Sequence, residues 1–256
     1  MQNFNLIGFY TFTRQEIHRF FRVGIQTLIT PWISALLYIL IFGEIVGRRI
    51  GMIHGVAYID FVLPGLLMMN LMQASFSQTS SSLYFQRFLR HIEEVLTAPL
   101  SYLEIIGGYV IAGVVRGLMV GIGVYVLAFL FTITNINHIG LFVFYAISVS
   151  IIFSLLGLLV GLWANSFEHL AIPPTFVIMP LSFLGGLFNS LAMLPENMRK
   201  VVRLNPLFYF IDGMRYAMIG IQESDRRIGF LLIIGLVGVL TWLVWALFKR
   251  GYKVKI

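Results

Sequence analysis

Between Arg116 and Glu168 the chain has no aspartate, glutamate, lysine or arginine. About 20 mostly apolar residues cross the hydrocarbon core of a bilayer, and this stretch holds two such lengths. Only the turn-like Thr134-Asn135-Ile136-Asn137-His138 divides it. Composition agrees: 59% of residues are hydrophobic and 11% charged, where soluble domains carry about 25% charged residues. The chain reads as an integral membrane protein. Its net charge of +7 would suit nucleic acid, but the cations sit in short flanks of apolar spans. Anionic lipid headgroups are their expected partners, and no nucleic acid is expected. There is no cysteine, so disulfide and thiolate chemistry are excluded. No basic segment precedes Met1–Phe12, so the start is not expected to be a signal peptide.

Spans are predicted at about 25–46, 60–82, 104–132, 139–164, 170–191 and 228–248. The second ends in the polar run from Ser75 to Ser82, and the fifth is interrupted by Pro180 and thinned by Gly185 and Gly186. Beyond it, Pro195 and Pro206 each stand where a short helix begins, and Asn205 before Pro206 is an N-cap followed by a first-turn proline. Asp212 and Arg215 fall three apart and can pair on one helix face. Broken helices at membrane depth are tolerated only where buried in protein or lining an aqueous space, which points to transport. Phe208, Tyr209, Phe210 and Tyr216 near Arg215 suit either steering of an amphipathic substrate or an ordinary interfacial belt. Arg116 lies near the middle of the third span and must face the bundle or water; structural and substrate-contact roles both stay open. Gly113, Gly117 and Gly121 form a small-residue stripe, and Gly157 and Gly161 read as packing positions.

Two segments suit the membrane surface. Thr13 and Glu16 have capping-box spacing, and Ile17, Phe20, Phe21, Ile25 and Leu28 then recur at helical intervals. Arg14, Gln15, His18, Arg19 and Arg22 take the opposite side. An amphipathic helix over 13–28 is expected, the alternative being a polar start to the first span. Between the second and third spans, Gln86 to Pro99 is the most charged internal stretch. Arg90 has the spacing to pair with Glu93 or Glu94, Pro99 stops the turn, and Ser101 with Glu104 forms a second capping box. A solvated loop and a docking element both fit. The tails and the Gln86–Glu104 loop share one side, carrying Arg14, Arg19, Arg22, Arg87, Arg90, Lys249, Arg250, Lys253 and Lys255. Arg48, Arg49, Arg199, Lys200, Arg203, Arg215, Arg226 and Arg227 take the other. These nearly balance under the positive-inside rule; both termini are placed in the cytoplasm.

Catalytic and cofactor motifs are missing. No lysine follows a glycine, so no phosphate loop exists. The five histidines show no metal spacing, and there is no G-x-S-x-G elbow or H-E-x-x-H helix. Glu44 and Asp60 lie near span ends, so the mid-membrane carboxylates of an ion-coupled carrier are nearly absent. The chain is expected to bind no cofactor, to be no enzyme, and to draw energy from a partner. The rivals are an ATP-independent channel or facilitator, a lipid-processing enzyme and a structural anchor.

The segments IEEVLTAPLS and PLSFLGGLF…LP…LNPLFYFIDGMRY, behind an amphipathic N-terminal helix, resemble the membrane subunit of ABC-2-type transporters across essentially the whole chain. That resemblance implies an all-α, type V exporter-like fold: six transmembrane helices, an interface helix at 13–28 and short re-entrant helices at 192–221 before the last span. It implies a coupling helix at 87–99 docking on a separate ATPase through Arg87, Arg90, His91, Glu93, Glu94, Leu96 and Pro99. Arg14, Glu16, His18, Arg19 and Arg22 would belong to the interface helix. Arg116, Phe208, Tyr209, Asp212 and Arg215 would belong to the translocation path or gate. Two copies would pair through the first and fifth spans in a bacterial inner membrane, with two ATPase subunits holding ATP and Mg. The cargo of such proteins is a lipid, glycolipid, polysaccharide or drug.

Overall fold

The computed structural model describes residues 4–22, 24–132 and 136–253. Lys255 and the Thr134-Asn135 part of the turn lie outside the described residues, as do the side chains of Ile25 and Glu44. Helix α1 covers Leu6–Arg22. Then come α2 (Gln26–Ile50), a small hairpin of β1 (Met52–Ile53) and β2 (Val56–Ala57), α3 (Tyr58–Phe88) and α4 (Ile92–Thr97). Next are α5 (Tyr102–Ala128), α6 (Ile139–Trp163) and α7 (Phe167–Leu184). The chain finishes with α8 (Glu196–Leu204), α9 (Pro206–Ile219) and α10 (Arg226–Arg250). Six helices, α2, α3, α5, α6, α7 and α10, are long and apolar enough to cross a membrane.

The polar end of the second predicted span does not leave the bundle. Helix α3 runs on to Phe88 and is the most buried of the six. Lipid is as apolar as leucine, so helices associate in a membrane through close packing and hydrogen bonds. The hydroxyls of α3 supply both. Thr79 Oγ1 donates to the Ser154 carbonyl at 2.8 Å. A Cβ at Gly113 would collide with Ser154 Oγ, one at Gly117 with Ser75 Oγ, and one at Gly157 with Thr79 Oγ1. Gly121 meets only ordinary contacts, the nearest at 3.7 Å, so the stripe is tight at two of its three positions.

Helix α7 carries Pro174 at the start of a wide i→i+5 turn, Pro174–Ile178, with Pro173 and Pro180 in the α-helical turns on either side. It stops at Leu184, earlier than predicted, because Gly186 turns the chain with φ +82°. The outer faces of α2 and α7 expose Ile33, Leu37, Ile41 and Phe176. Contacts sort the loops into two ends. Arg87 donates to the Lys253 carbonyl at 2.8 Å, which joins the C-terminal tail to the α3–α4 loop. At the opposite end, His54 of the hairpin meets Ser190 at 3.0 Å.

Candidate functional site

Helix α1 starts at Leu6, not at Thr13. The expected Thr13–Glu16 capping box is therefore replaced by an earlier cap: Asn5 Oδ1 accepts from the Gly8 amide at 3.0 Å. Thr13 lies inside the helix and donates to the Phe9 carbonyl at 2.8 Å. Glu16 is fully buried, and its carboxylate accepts from Ser82 Oγ and from Gln86 Nε2, the latter at 2.7 Å. Arg19 Nη1 stands 3.4 Å from it, and the Tyr109 hydroxyl donates to Gln86 at 2.6 Å. Burial pushes the Glu16 carboxyl above its ordinary range, opposed by Arg19 and by the two hydrogen bonds. The buried stripe is Phe12, Thr13, Glu16 and Phe20, with Phe12 edge-on to Tyr109 at 5.1 Å. Arg14, His18 and Arg22 are exposed. Phe21, expected on the apolar side, is exposed as well.

At the α3–α4 turn, Arg90 has φ +59°. That left-handed residue breaks helical register, so the expected Arg90 pairing fails: among the described residues no ion pair joins it to Glu93 or Glu94. Arg87 turns into the bundle. It donates to the Gly161, Leu162 and Ala164 carbonyls at 2.6, 2.8 and 3.3 Å, and Lys253 Nζ reaches the Trp163 carbonyl at 2.8 Å. Two cations thus complete the C-terminal carbonyls of α6, where a helix has orphan acceptors and a negative dipole end. Phe88, Leu89, Arg90, His91, Glu93, Glu94 and Pro99 are exposed and Leu96 is half-buried. The second capping box is present, with the Ser101 amide donating to Glu104 at 2.5 Å and Ser101 Oγ accepting from the Glu104 amide at 3.3 Å. Glu104 also accepts from the Asn5 amide at 2.5 Å, while Asn5 Nδ2 donates to the Pro99 carbonyl at 3.2 Å. The starts of α1 and α5 and the end of the α4 segment are joined at this point.

At the other end Asn205 caps α9 as expected, accepting from the Leu207 amide at 3.0 Å. Arg215 on α9 is 0% exposed. It donates to the Phe61 carbonyl at 3.2 Å and the Gly186 carbonyl at 2.5 Å, and its guanidinium lies 3.9 Å over the Phe61 ring. Nη1 stands 3.9 Å from both Asp212 and Glu223. Asp212 accepts from the Ser224 amide and hydroxyl at 2.9 and 2.6 Å. Glu223 accepts from the Leu191 amide at 3.1 Å and from Ser190 Oγ, and meets His54 at 3.2 Å. One enclosed cluster therefore ties α3, the turn after α7, α9 and the hairpin. In this arrangement Arg215 has no route to a substrate. Phe208 and Phe210 are buried, and the Tyr209 hydroxyl donates to the Arg203 carbonyl at 2.9 Å.

Arg116 on α5 donates to Gln78 Oε1 at 3.3 Å, and its buried Nε has no hydrogen-bond partner among the described residues. An arginine at mid-bilayer costs roughly 2.5–3.5 kcal/mol on insertion scales. Sequence reasoning missed the partners of these groups, Gln78, Ser82 and Gln86. Their signal was present: they recur every four residues on α3, a polar stripe inside a span. Glu223, Ser190 and His54 carry no such pattern, because they meet only in the tertiary structure. No group of three or more metal-ligating side chains occurs among the described residues.

Six apolar helices, helix α1 ahead of them and a broken segment before the last span define a multi-pass membrane protein. The family model for ABC-2 type transporters matches residues 8–219, and the chain belongs to that family. The inner membrane transport permease YadH of Escherichia coli (strain K12) is 40% identical over 240 residues, 93% of each chain. Nodulation protein J of Rhizobium meliloti (strain 1021) is 27% identical over 204 residues, 78% of this chain and 76% of that one. Nodulation protein J of Rhizobium leguminosarum bv. viciae is 26% identical over 219 residues, 83% of each. Like the Escherichia coli relative, the chain is a multi-pass inner-membrane permease. ABC-2 permeases generally work with an ABC ATPase partner.

Proposed function

We propose that this chain is the membrane subunit of an exporter for an amphipathic substrate, driven by a separate ATPase that holds ATP and Mg. The observation that carries the reading is the joint between α1, α4 and α5. Exposed Phe88, Leu89, Arg90, His91, Glu93 and Glu94 form a charged and apolar knob over the α3–α4 turn and the short helix α4. Asn5 and Glu104 fasten the segment behind it to α1 and α5. Force applied to α4 by a closing ATPase pair would reach both helices as one body, and Glu16, Ser82, Gln86 and Tyr109 would pass it to α3. Two copies of the chain, paired through α2 and α7, would then switch between two arrangements that ATP-bound and ATP-free partners favour unequally.

In this reading both tails and the α4 knob are cytoplasmic, Arg87 and Lys253 brace the end of α6, and the Arg215 cluster holds the far end closed. The test is the native mass of the tagged chain, co-expressed with its genomic neighbours and purified in mild detergent. Two 29.1 kDa copies with two ATPase subunits are expected, separated by Glu93→Lys and Glu94→Lys together. A lone chain or a homo-oligomer that transports without nucleotide would overturn the reading in favour of an ATP-independent channel.

A further inference from the structure

A cavity of about 590 Å³ lies between α1, α2, α3 and α5. Its polar wall includes Arg19, Gln78, Ser81 and Arg116, its apolar wall Phe20 and Phe85, and among the described residues no aspartate or glutamate lines it. Arg19 is anchored to Ser82 Oγ at 2.9 Å and Arg116 to Gln78 at 3.3 Å. Gln78 and Ser82 are four apart on α3, and residues at that spacing sit roughly 5–6 Å apart on one helix face. Two guanidinium groups are therefore fixed about one helical turn apart in a single cavity. Their charges are not equally answered. Arg19 stands 3.4 Å from Glu16, whereas Arg116 forms no ion pair among the described residues and has a buried Nε with no partner.

A guanidinium is a fork of fixed donors that matches phosphate and related oxyanions, and charge-assisted bonds of this kind are the strong ones. We infer that this cavity is a binding site for the anionic head of an amphiphile, a phosphate being the best geometric match, held by Arg116 and shared with Arg19. The aromatic wall and the rim at Thr30 and Phe85, both exposed, take the apolar portion. Thr30 adjoins Ile29 and Ile33, which are exposed on the apolar outer face of α2. The same face would carry the seam between two copies, so the cavity opens beside that seam. This deepens the permease reading and rests on it: the cavity is a loading site for the transported molecule.

The test is equilibrium binding to the purified full-length chain in a neutral maltoside, read by thermophoresis. The probes are dioctanoyl phosphatidic acid, dioctanoylglycerol and inorganic phosphate. Phosphatidic acid is expected to saturate, with dioctanoylglycerol at least about tenfold weaker, a factor of about 1.4 kcal/mol. Arg116→Gln is expected to weaken the phosphatidic acid by a similar factor, Arg116→Lys to recover only part of it because the charge returns without the fork, and Arg226→Gln at the far end to change nothing. Gln78→Leu, which leaves both cations in place, provides a second variant should Arg116→Gln fail to fold; a few-fold loss is expected. Phosphate displacing the lipid with the same dependence on Arg116 keeps the anion site and names a free anion as its source. Equal affinity for the two lipids, or binding indifferent to Arg116→Gln and Gln78→Leu, overturns the inference. The binding needs no ATPase and the subunit assay needs no ligand, so the two readings fail separately.

Discussion

Arg215 and Gly157 show how single residues set the packing here. Removing one member of a buried charged cluster costs about 3–5 kcal/mol, because the remaining charges stay buried and unpaired. Arg215→Gln, which strands Asp212 and Glu223, is accordingly expected to lower the melting temperature of the detergent-solubilised chain sharply and reduce its yield. A melting curve equal to wild type would show that the cluster is no structural tie. Gly157→Ala places a Cβ 2.5 Å from the Phe76 carbonyl and is expected to cost about 1–3 kcal/mol by overpacking, whereas Gly121→Ala should be nearly silent in the same melting assay. Glu16 makes a prediction in pH. Its carboxyl is raised above 4.5, first by burial, with Arg19 and two hydrogen bonds opposing. A carboxyl that binds its proton more tightly when folded lends most stability at low pH and loses it as pH rises through the raised value. Glu16→Gln should therefore flatten the pH dependence of melting over that window, and an unchanged profile would count against a raised value.

Among the elements, α3 and α1 depart most from a hydropathy reading. The run Ser75 to Ser82 looks like the end of a span because polar side chains are expensive in lipid. It faces glycines and carbonyls of α5 and α6 instead, and the helix continues. Helix α1 begins seven residues before its anticipated cap, at Leu6 and not after Thr13, since Asn5 caps it and Glu16 finds its partners on α3. The Ser101–Glu104 box and the Asn205-Pro206 start were legible in the sequence because both are local: the groups that bond lie within three residues of one another. Losing an N-cap costs about 0.5–2 kcal/mol. Ser101→Ala is expected to lower melting by that order while leaving ATPase co-purification intact. Loss of co-purification without a melting shift would place Ser101 on the docking surface.

For the whole molecule, the absence of cysteine makes sidedness directly measurable. Tyr252 and Met52 are exposed at opposite ends. With both tails cytoplasmic, Met52→Cys is expected to react with a membrane-impermeant maleimide in intact spheroplasts, and Tyr252→Cys only after lysis. The reverse pattern would invert the orientation and place the α4 knob outside, where no cytoplasmic ATPase could reach it. The membrane class, the six spans and the caps at Ser101 and Asn205 follow from the sequence alone, because hydropathy over about 20 residues and capping within one turn are properties of contiguous residues. Which polar groups end up together did not follow. Arg87 with the end of α6, Glu16 with α3, Arg215 with the turn after α7, and Arg19 and Arg116 around one cavity are meetings across tens of residues. They are decided by how closely glycine-faced helices approach and by the cost of leaving polar groups unpaired away from water.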